Sequence, residues 1–440
     1  MAQDEQNSYP YQRIMYKMKL ILLTGEMLMA NGAATDQIMR DMLRAATYMD
    51  ITPDKIHIHI NYTTIMLNIT GEGHSYTEFR KCRKHKINMT VISAISNLTW
   101  IAVKENYSLE KYEARLKRLQ SHLVSYPPLL STICAGAACG GICKLFGCDW
   151  ISFFCTAFST AAGYSARRLC NAYGFNNYAG IAISAFVATF LACLAQSVSG
   201  TSTPSYPMIA AALFLIPGIP LINAVDDMLN NYIMAGMTRA MNTLLIIASM
   251  TFGISIALWL WNVTDFTRIS IQPDDIYISQ AIAAAIAATG YGVLFNLPRK
   301  LLAIAAIGAV IAVDVRNILV IGFDFNLVAG SFLGAAILGS VAQKGTHWFH
   351  APGSVLTIPA VIPLMPGVLL YRLLFSILNI TTIDAQTLLL GIRSGVEAVT
   401  VIIAMVIGVA IPTIFFRPRL EKYRRQHMEE LLLQRYDEKD

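Results

Sequence analysis

Apolar and polar positions fall into two regimes that meet near residue 126. Before that point, apolar residues recur at helical spacing over 12–30 and 33–49, with a break at Asn31-Gly32. The run 55–69 alternates instead and is rich in β-branched residues, which predicts a hairpin or two strands. Helical spacing returns over 88–104 and 108–124, after a basic cluster of Arg80, Lys81, Arg83, Lys84 and Lys86. Residues 1–125 thus read as a small soluble α/β domain. Beyond 127 polar residues thin out. Apolar segments follow at about 129–147, 150–168, 179–198, 206–222, 238–261, 276–295, 299–315, 327–343, 355–377 and 389–414. Most approach the roughly 20 residues that a spanning helix needs. The expectation is a mainly α-helical polytopic membrane protein with ten transmembrane helices.

One of these segments is interrupted. Pro217-Gly218 and Pro220 fall mid-segment, and Asp226-Asp227 follow about two turns later. Proline lacks an N–H and clashes with the preceding turn, so Pro217 and Pro220 free the carbonyls of Leu213 and Ile216. In hydrocarbon such groups are tolerated only where protein or a water-filled cavity satisfies them. A broken helix followed by two acids therefore reads as a polar site inside the membrane part.

The same break recurs further on. LIPGIPL at 215–221 aligns with LMPGVLL at 364–370, and Gly174 through Asn176 to Gly180 aligns with Asp324 through Asn326 to Gly330. Five spans per copy would insert the second copy from the opposite side. That is the inverted repeat of many secondary transporters, whose sites lie between interrupted helices near the midplane. The organisation expected is a cytoplasmic α/β domain at 1–125, five-helix repeats at 126–262 and 275–414, and a basic cytoplasmic tail at 415–440. The copies differ chemically, because Asp226 and Asp227 align with Phe375 and Ser376. The second copy carries Tyr371 and Arg372 after its break, and Arg393 with Glu397, read as a structural ion pair one turn apart.

Composition supports the membrane reading: 55% of the residues are hydrophobic and 14% charged, with a mean hydropathy of +0.49. The net charge of +6 does not point to nucleic acid. It reports orientation, since Arg167-Arg168, Arg299-Lys300, Lys344 and the tail's Arg417, Arg419, Lys422, Arg424 and Arg425 share the side of the N-terminus, while Lys144, Arg268 and Arg316 fall opposite. Both termini are therefore expected in the cytoplasm of a multi-pass plasma-membrane protein. The apolar run after Lys17 and Lys19 is interrupted by Glu26 and does not read as an export signal. Eight cysteines include no CxxC pair, and Cys134, Cys139, Cys143 and Cys148 scatter around a helix, so packing is expected rather than metal. His57 and His59 share a strand face without a further ligand at metal spacing. No GxSxG, HExxH or phosphate loop occurs. Neither catalysis, a cofactor nor a metal is expected.

Helices restarting at Gly218 and Gly367 would turn partly positive N–H groups toward a cavity and suit a carboxylate. Freed carbonyls with Asp226 or Asp227 would suit an ammonium group or a proton, and a carboxyl group drawn out of water makes a usable proton carrier. A small zwitterion or a dicarboxylate fits such a site.

Pro217-Gly218, Asn223, Asp227, Gly236 and Arg239 followed by an apolar span resemble the signature of the bacterial threonine/serine exporter family. GEMLMANGAAT at 25–35 resembles that family's opening helix pair, and PAVIPLMPGVLLYRLL at 359–374 its smaller partner domain, here fused. The resemblance covers about residues 15–415. It implies efflux of threonine and serine driven by the proton motive force, with export of succinate linked to two-protein relatives. It maps a polar site position onto Asp227, with Asp226 an extra acid. It also likens the N-terminal domain to hydrolases. The site residues expected for substrate or proton are Asp227, Asp226, Pro217, Gly218, Asn223, Gly236, Arg239, Pro366, Gly367, Asn176 and Asn326. The partners expected are the small-molecule substrate, protons and the lipid bilayer, with a homo-oligomer left open. A C4-dicarboxylate exporter is the alternative of the same class. A passive channel, or a membrane enzyme with catalysis in 1–125, is the alternative of another.

Overall fold

The computed structural model describes residues 2–71, 74–82, 86–121, 125–263, 277–349, 351–381 and 383–437. Arg83, Lys84 and Arg268 lie outside the described residues, as do the tail's side chains. The N-terminal region is built of α1 (Ala2–Ala30), α2 (Thr35–Tyr48), the strands β1 (Ile56–Ile60), β2 (Thr64–Gly71) and β3 (His74–Lys81), then α3 (Met89–Lys104) and α4 (Leu109–Ser121). The sheet is antiparallel in the order β1-β2-β3, with Ile58 opposite Leu67 and Met66 opposite Phe79. Strand alternation buries Ile56, Ile60, Ile65, Leu67 and Ile69 and exposes His57 and His59. The strand β3 is invisible to an apolar-alternation reading because Phe79 is its one purely hydrocarbon side chain and the strand is largely exposed.

The apolar region contains two runs of six helices in the same order. The first is α5 (Pro128–Leu145), α6 (Trp150–Ala172), α7 (Asn177–Ser199), α8 (Ser205–Ala210), α9 (Gly218–Leu229) and α10 (Ile233–Leu260). The second is α11 (Ile278–Leu294), α12 (Arg299–Asn317), α13 (Leu327–Phe349), α14 (Gly353–Val361), α15 (Gly367–Leu378) and α16 (Ala385–Asp437). Their packing repeats as well. The helix α7 lies on α10 as α13 lies on α16, and α9 packs on α10 as α15 packs on α16. Between the runs α5 packs on α11, and each bent pair reaches the last helix of the other run. Matched glycines let helices approach closely: Gly253 of α10 sits on the Ala182 carbonyl of α7, and Gly408 of α16 on the Phe332 carbonyl of α13.

Where hydropathy along the chain predicts ten spans, six helices among the described residues are long and apolar enough to cross a membrane, or eight if each bent pair counts as one span. The shortfall has two sources. The helix α6 dilutes its apolar residues with Ser152, Thr156, Ser159, Thr160 and Ser165, and α11 has 17 residues. A further difference concerns Arg393. It is exposed and makes no ion pair with Glu397 among the described residues, while Glu397 acts electrostatically on Arg372 of α15.

Candidate functional site

The two breaks cross each other. The chain bends by 60° between Ser205–Leu215 and α9, and by 58° between Gly353–Leu364 and α15. Gly218, at the start of α9, faces Ile362 and Met365 of the second break, and Gly367, at the start of α15, faces Ile216 and Leu213 of the first. Both contacts are tight, since a methyl group at either position would overlap Cδ1 of the facing isoleucine and force that side chain to shift. Pro217, Gly218, Pro366 and Gly367 are thus brought together, as the alignment of the repeats predicts.

The freed carbonyls are satisfied by protein. The carbonyl of Leu213 accepts from the Tyr291 hydroxyl of α11 at 3.0 Å and from the N–H of Ile216 at 3.1 Å. The carbonyl of Ile216 accepts from the N–H of Gly218 at 2.8 Å. Two more hydroxyls complete the first break: Thr160 of α6 donates to the Ala211 carbonyl at 2.9 Å, and Tyr371 of α15 to the Ile209 carbonyl at 2.8 Å. Sequence reasoning missed Thr160 and Tyr291 here. Their signal was present, because a hydroxyl buried in an apolar helix must find a partner. Between the breaks remains a cavity of about 20 Å³ lined by Ile142, Phe146, Leu213, Ile216, Tyr291 and Met365. It has room for a water molecule, not for an amino acid.

The polar residues gather elsewhere, about 13 Å along α9 from the break. Asp227 is fully buried. Its Oδ1 accepts from the N–H of Thr35 at 2.9 Å, its Oδ2 from the Thr35 hydroxyl at 2.8 Å, and Arg239 of α10 pairs with Oδ2 through Nε at 2.9 Å. Asn223 donates to the Gly32 carbonyl at 3.0 Å, and Arg239 to the Ala33 carbonyl at 3.1 Å. The α1–α2 loop is therefore gripped by three side chains of the bent helix and its neighbour. Local chemistry explains the fit. The loop turns at Gly32 with φ +90°, and Ala34 precedes α2 without offering a side-chain cap. The Thr35 amide is then one of the orphan donors of a helix start, and a carboxylate from another helix supplies the cap. Gly236 lets α10 approach α9, since a methyl there would lie 2.7 Å from the Ala224 carbonyl. Asp226 is half-buried and accepts from Asn230 at 3.2 Å. Asn176 and Asn326 join neither group. Both are exposed, and they accept from the N–H groups of Tyr178 at 2.9 Å and Ala329 at 2.7 Å at the starts of α7 and α13.

Two family models match the chain. One, described as "Putative threonine/serine exporter", covers residues 19–261, and the other, described as "Threonine/Serine exporter, ThrE", covers residues 280–415. The chain belongs to the threonine/serine exporter family. A Mycobacterium tuberculosis protein named "Probable threonine/serine exporter" is 20% identical over 405 residues, covering 89% of this chain and 75% of that protein. Escherichia coli and Klebsiella aerogenes proteins named "Probable succinate transporter subunit YjjP" are 28% and 30% identical over 245 and 210 residues. Those matches cover 55% and 47% of this chain and 94% and 80% of the relatives. No solved structure matches the chain.

In this exporter no group of three or more His, Cys, Asp or Glu side chains could hold a metal among the described residues. The eight cysteines are free thiols. Thr35 is the functional candidate that sequence reasoning did not single out, although it closes the stretch 25–35 on which the family resemblance rests.

Proposed function

We propose that the chain exports threonine and serine from the cytoplasm as a secondary transporter driven by the proton motive force. The observation that carries this reading is the pairing of one acid with one base, Asp227 with Arg239, beneath a break that crosses its repeat counterpart. A zwitterion complements one carboxylate and one guanidinium. A dicarboxylate would call for two cations where this cluster offers one. In this reading each bent pair counts as a span and α6 and α11 cross with them. Ten spans result, as two oppositely inserted repeats in a bacterial plasma membrane with both termini cytoplasmic. Residues 1–125 then cover the inner mouth. Asp227 carries the proton, since its neutralisation releases both Arg239 and Thr35, and the cavity between the breaks widens when the bent pairs part.

A second reading, export of C4-dicarboxylates, draws on the two relatives named as succinate transporter subunits. Counterflow in proteoliposomes, offering labelled threonine, serine and succinate in parallel, separates the two. Uptake of threonine and serine that rises with an imposed pH gradient is the expected result. Succinate counterflow without threonine counterflow would replace the first reading by the second, and counterflow of neither would refute both.

A further inference from the structure

The grip on the α1–α2 loop has the chemistry of a ligand site with an occupant. Asn223, Asp227 and Arg239 are each at least nine-tenths buried, and each hydrogen-bonds to the loop. Asp227 receives the nitrogen and the β-hydroxyl of a single threonine, one on each carboxylate oxygen. Those two atoms stand on adjacent carbons in the same way in free threonine and free serine, and the hydroxyl is what separates these amino acids from alanine and valine. The amide of Asn223 and the guanidinium of Arg239 meanwhile donate to loop carbonyl oxygens, which occupy the place of a carboxylate. The first turn of α2, just past the loop, also reaches the other repeat. A small cavity beside the loop is lined by Ala33, Ala34, Asn223 and Ser354, and the Ser354 hydroxyl of α14 donates to Gln37 of α2 at 2.9 Å. One segment therefore touches both bent pairs.

We propose that the loop from Gly32 to Thr35 is a tethered stand-in for the exported amino acid. Asn223, Asp227 and Arg239 form the cytoplasmic binding site for the ammonium, hydroxyl and carboxylate groups of threonine or serine, and the loop must withdraw before either can enter. This rests on the transport reading given above. A tethered competitor has an effective concentration in the millimolar range. The apparent affinity for free threonine is reduced by the fraction of time the site is covered. Export then begins only when the cytoplasmic amino acid is abundant, as in an overflow valve.

Two measurements on the full chain in lipid nanodiscs test the proposal. Hydrogen exchange of the segment 31–37 is followed with and without saturating threonine, serine and alanine. Threonine and serine are expected to speed exchange of the Thr35 amide, and alanine, which has no hydroxyl, to leave it unchanged. Binding of labelled threonine to Thr35→Val, which loses the hydroxyl at nearly constant volume, is expected to tighten about tenfold, the worth of one hydrogen bond to a charged group. Thr35→Ser should match the wild type. Threonine that binds without altering exchange, or a Thr35→Val affinity that is unchanged or weaker, overturns the stand-in while leaving the transport reading intact. Wild-type protein that binds neither threonine nor serine overturns both. If Thr35→Val does not fold, the exchange measurement on the wild type decides alone.

Discussion

Moving one methyl group across the crossing of the two breaks tests the contact on which the membrane architecture depends. Gly218→Ala adds a methyl that overlaps Cδ1 of Ile362 and lies 3.2 Å from Sδ of Met365. Ile362 is buried, with 5% of its surface exposed, so its side chain has little space into which to turn. Overpacking of this kind costs about 1–3 kcal/mol, reduced by up to about 1 kcal/mol because alanine is the better helix former. Ile362→Val removes the same Cδ1 and alone costs about 0.5–1.5 kcal/mol through the void it leaves. In the double variant the carbon count is unchanged, because the methyl lost at 362 returns at 218. Its cost should stay near that of Ile362→Val alone, with a coupling of about 1–2 kcal/mol in favour of the pair. The mirror pair, Gly367→Ala with Ile216→Val, should couple in the same direction but more weakly, since Ile216 faces Gly367 yet is only half-buried. Equilibrium unfolding of the purified protein in mild detergent reads all of these. Additive costs in both cycles, within about 0.5 kcal/mol, would mean that the breaks do not touch.

Three further outcomes are expected. Asp227→Asn keeps the shape but leaves the buried Arg239 without its counter-charge, which costs about 3–5 kcal/mol. It should also weaken threonine counterflow and remove what remains of its pH-gradient dependence, and wild-type counterflow at every pH would exclude the coupling role. Tyr291→Phe withdraws the hydroxyl from the Leu213 carbonyl, which keeps its bond from the Ile216 N–H; a loss of about 1 kcal/mol in the same unfolding assay is expected. For Asp149, burial pushes the carboxyl up, yet the N–H groups of Ser152 and Ser202 and the hydroxyls of Thr201 and Ser152 outweigh it and hold the group below the usual carboxylate range. Its folded pKa is the lower one, so its contribution is complete above the unfolded value of about 4 and is lost as pH falls from there toward the folded value. Melting temperature measured against pH should decline less on the acid side in Asp149→Asn than in the wild type.

The breaks were legible because proline and glycine act locally. Pro217 and Pro366 interrupt a helix whatever surrounds them, and their shared context exposed the repeat. The destination of Asp227 was not legible. An acid near a broken membrane helix reads as a cavity group, and nothing in the periodicity of α9 says that the start of α2 will be laid against it. Contacts between residues 35 and 227 lie beyond any local pattern. The strand β3 was hidden for another reason, since an exposed edge strand need not alternate. Asn176 and Asn326 were drawn in by their place in the repeat, which their capping of α7 and α13 explains.

The two copies keep the same packing but differ where it matters chemically. With the breaks superposed, Asn223 corresponds to Arg372 and Asp227 to Ser376, and Gly391 presses on Ser376 much as Gly236 presses on the turn before Asp227. The backbone arrangement is thus duplicated while the acid is not. At these aligned positions only the first copy offers α2 a carboxylate for the amide of Thr35, and the α1–α2 loop lies against α9. Under opposite insertion the two positions face opposite sides of the membrane, so a single covering loop can close only one of them. The corresponding residues of the second copy are Arg372 and Ser376, and Glu397 acts electrostatically on Arg372.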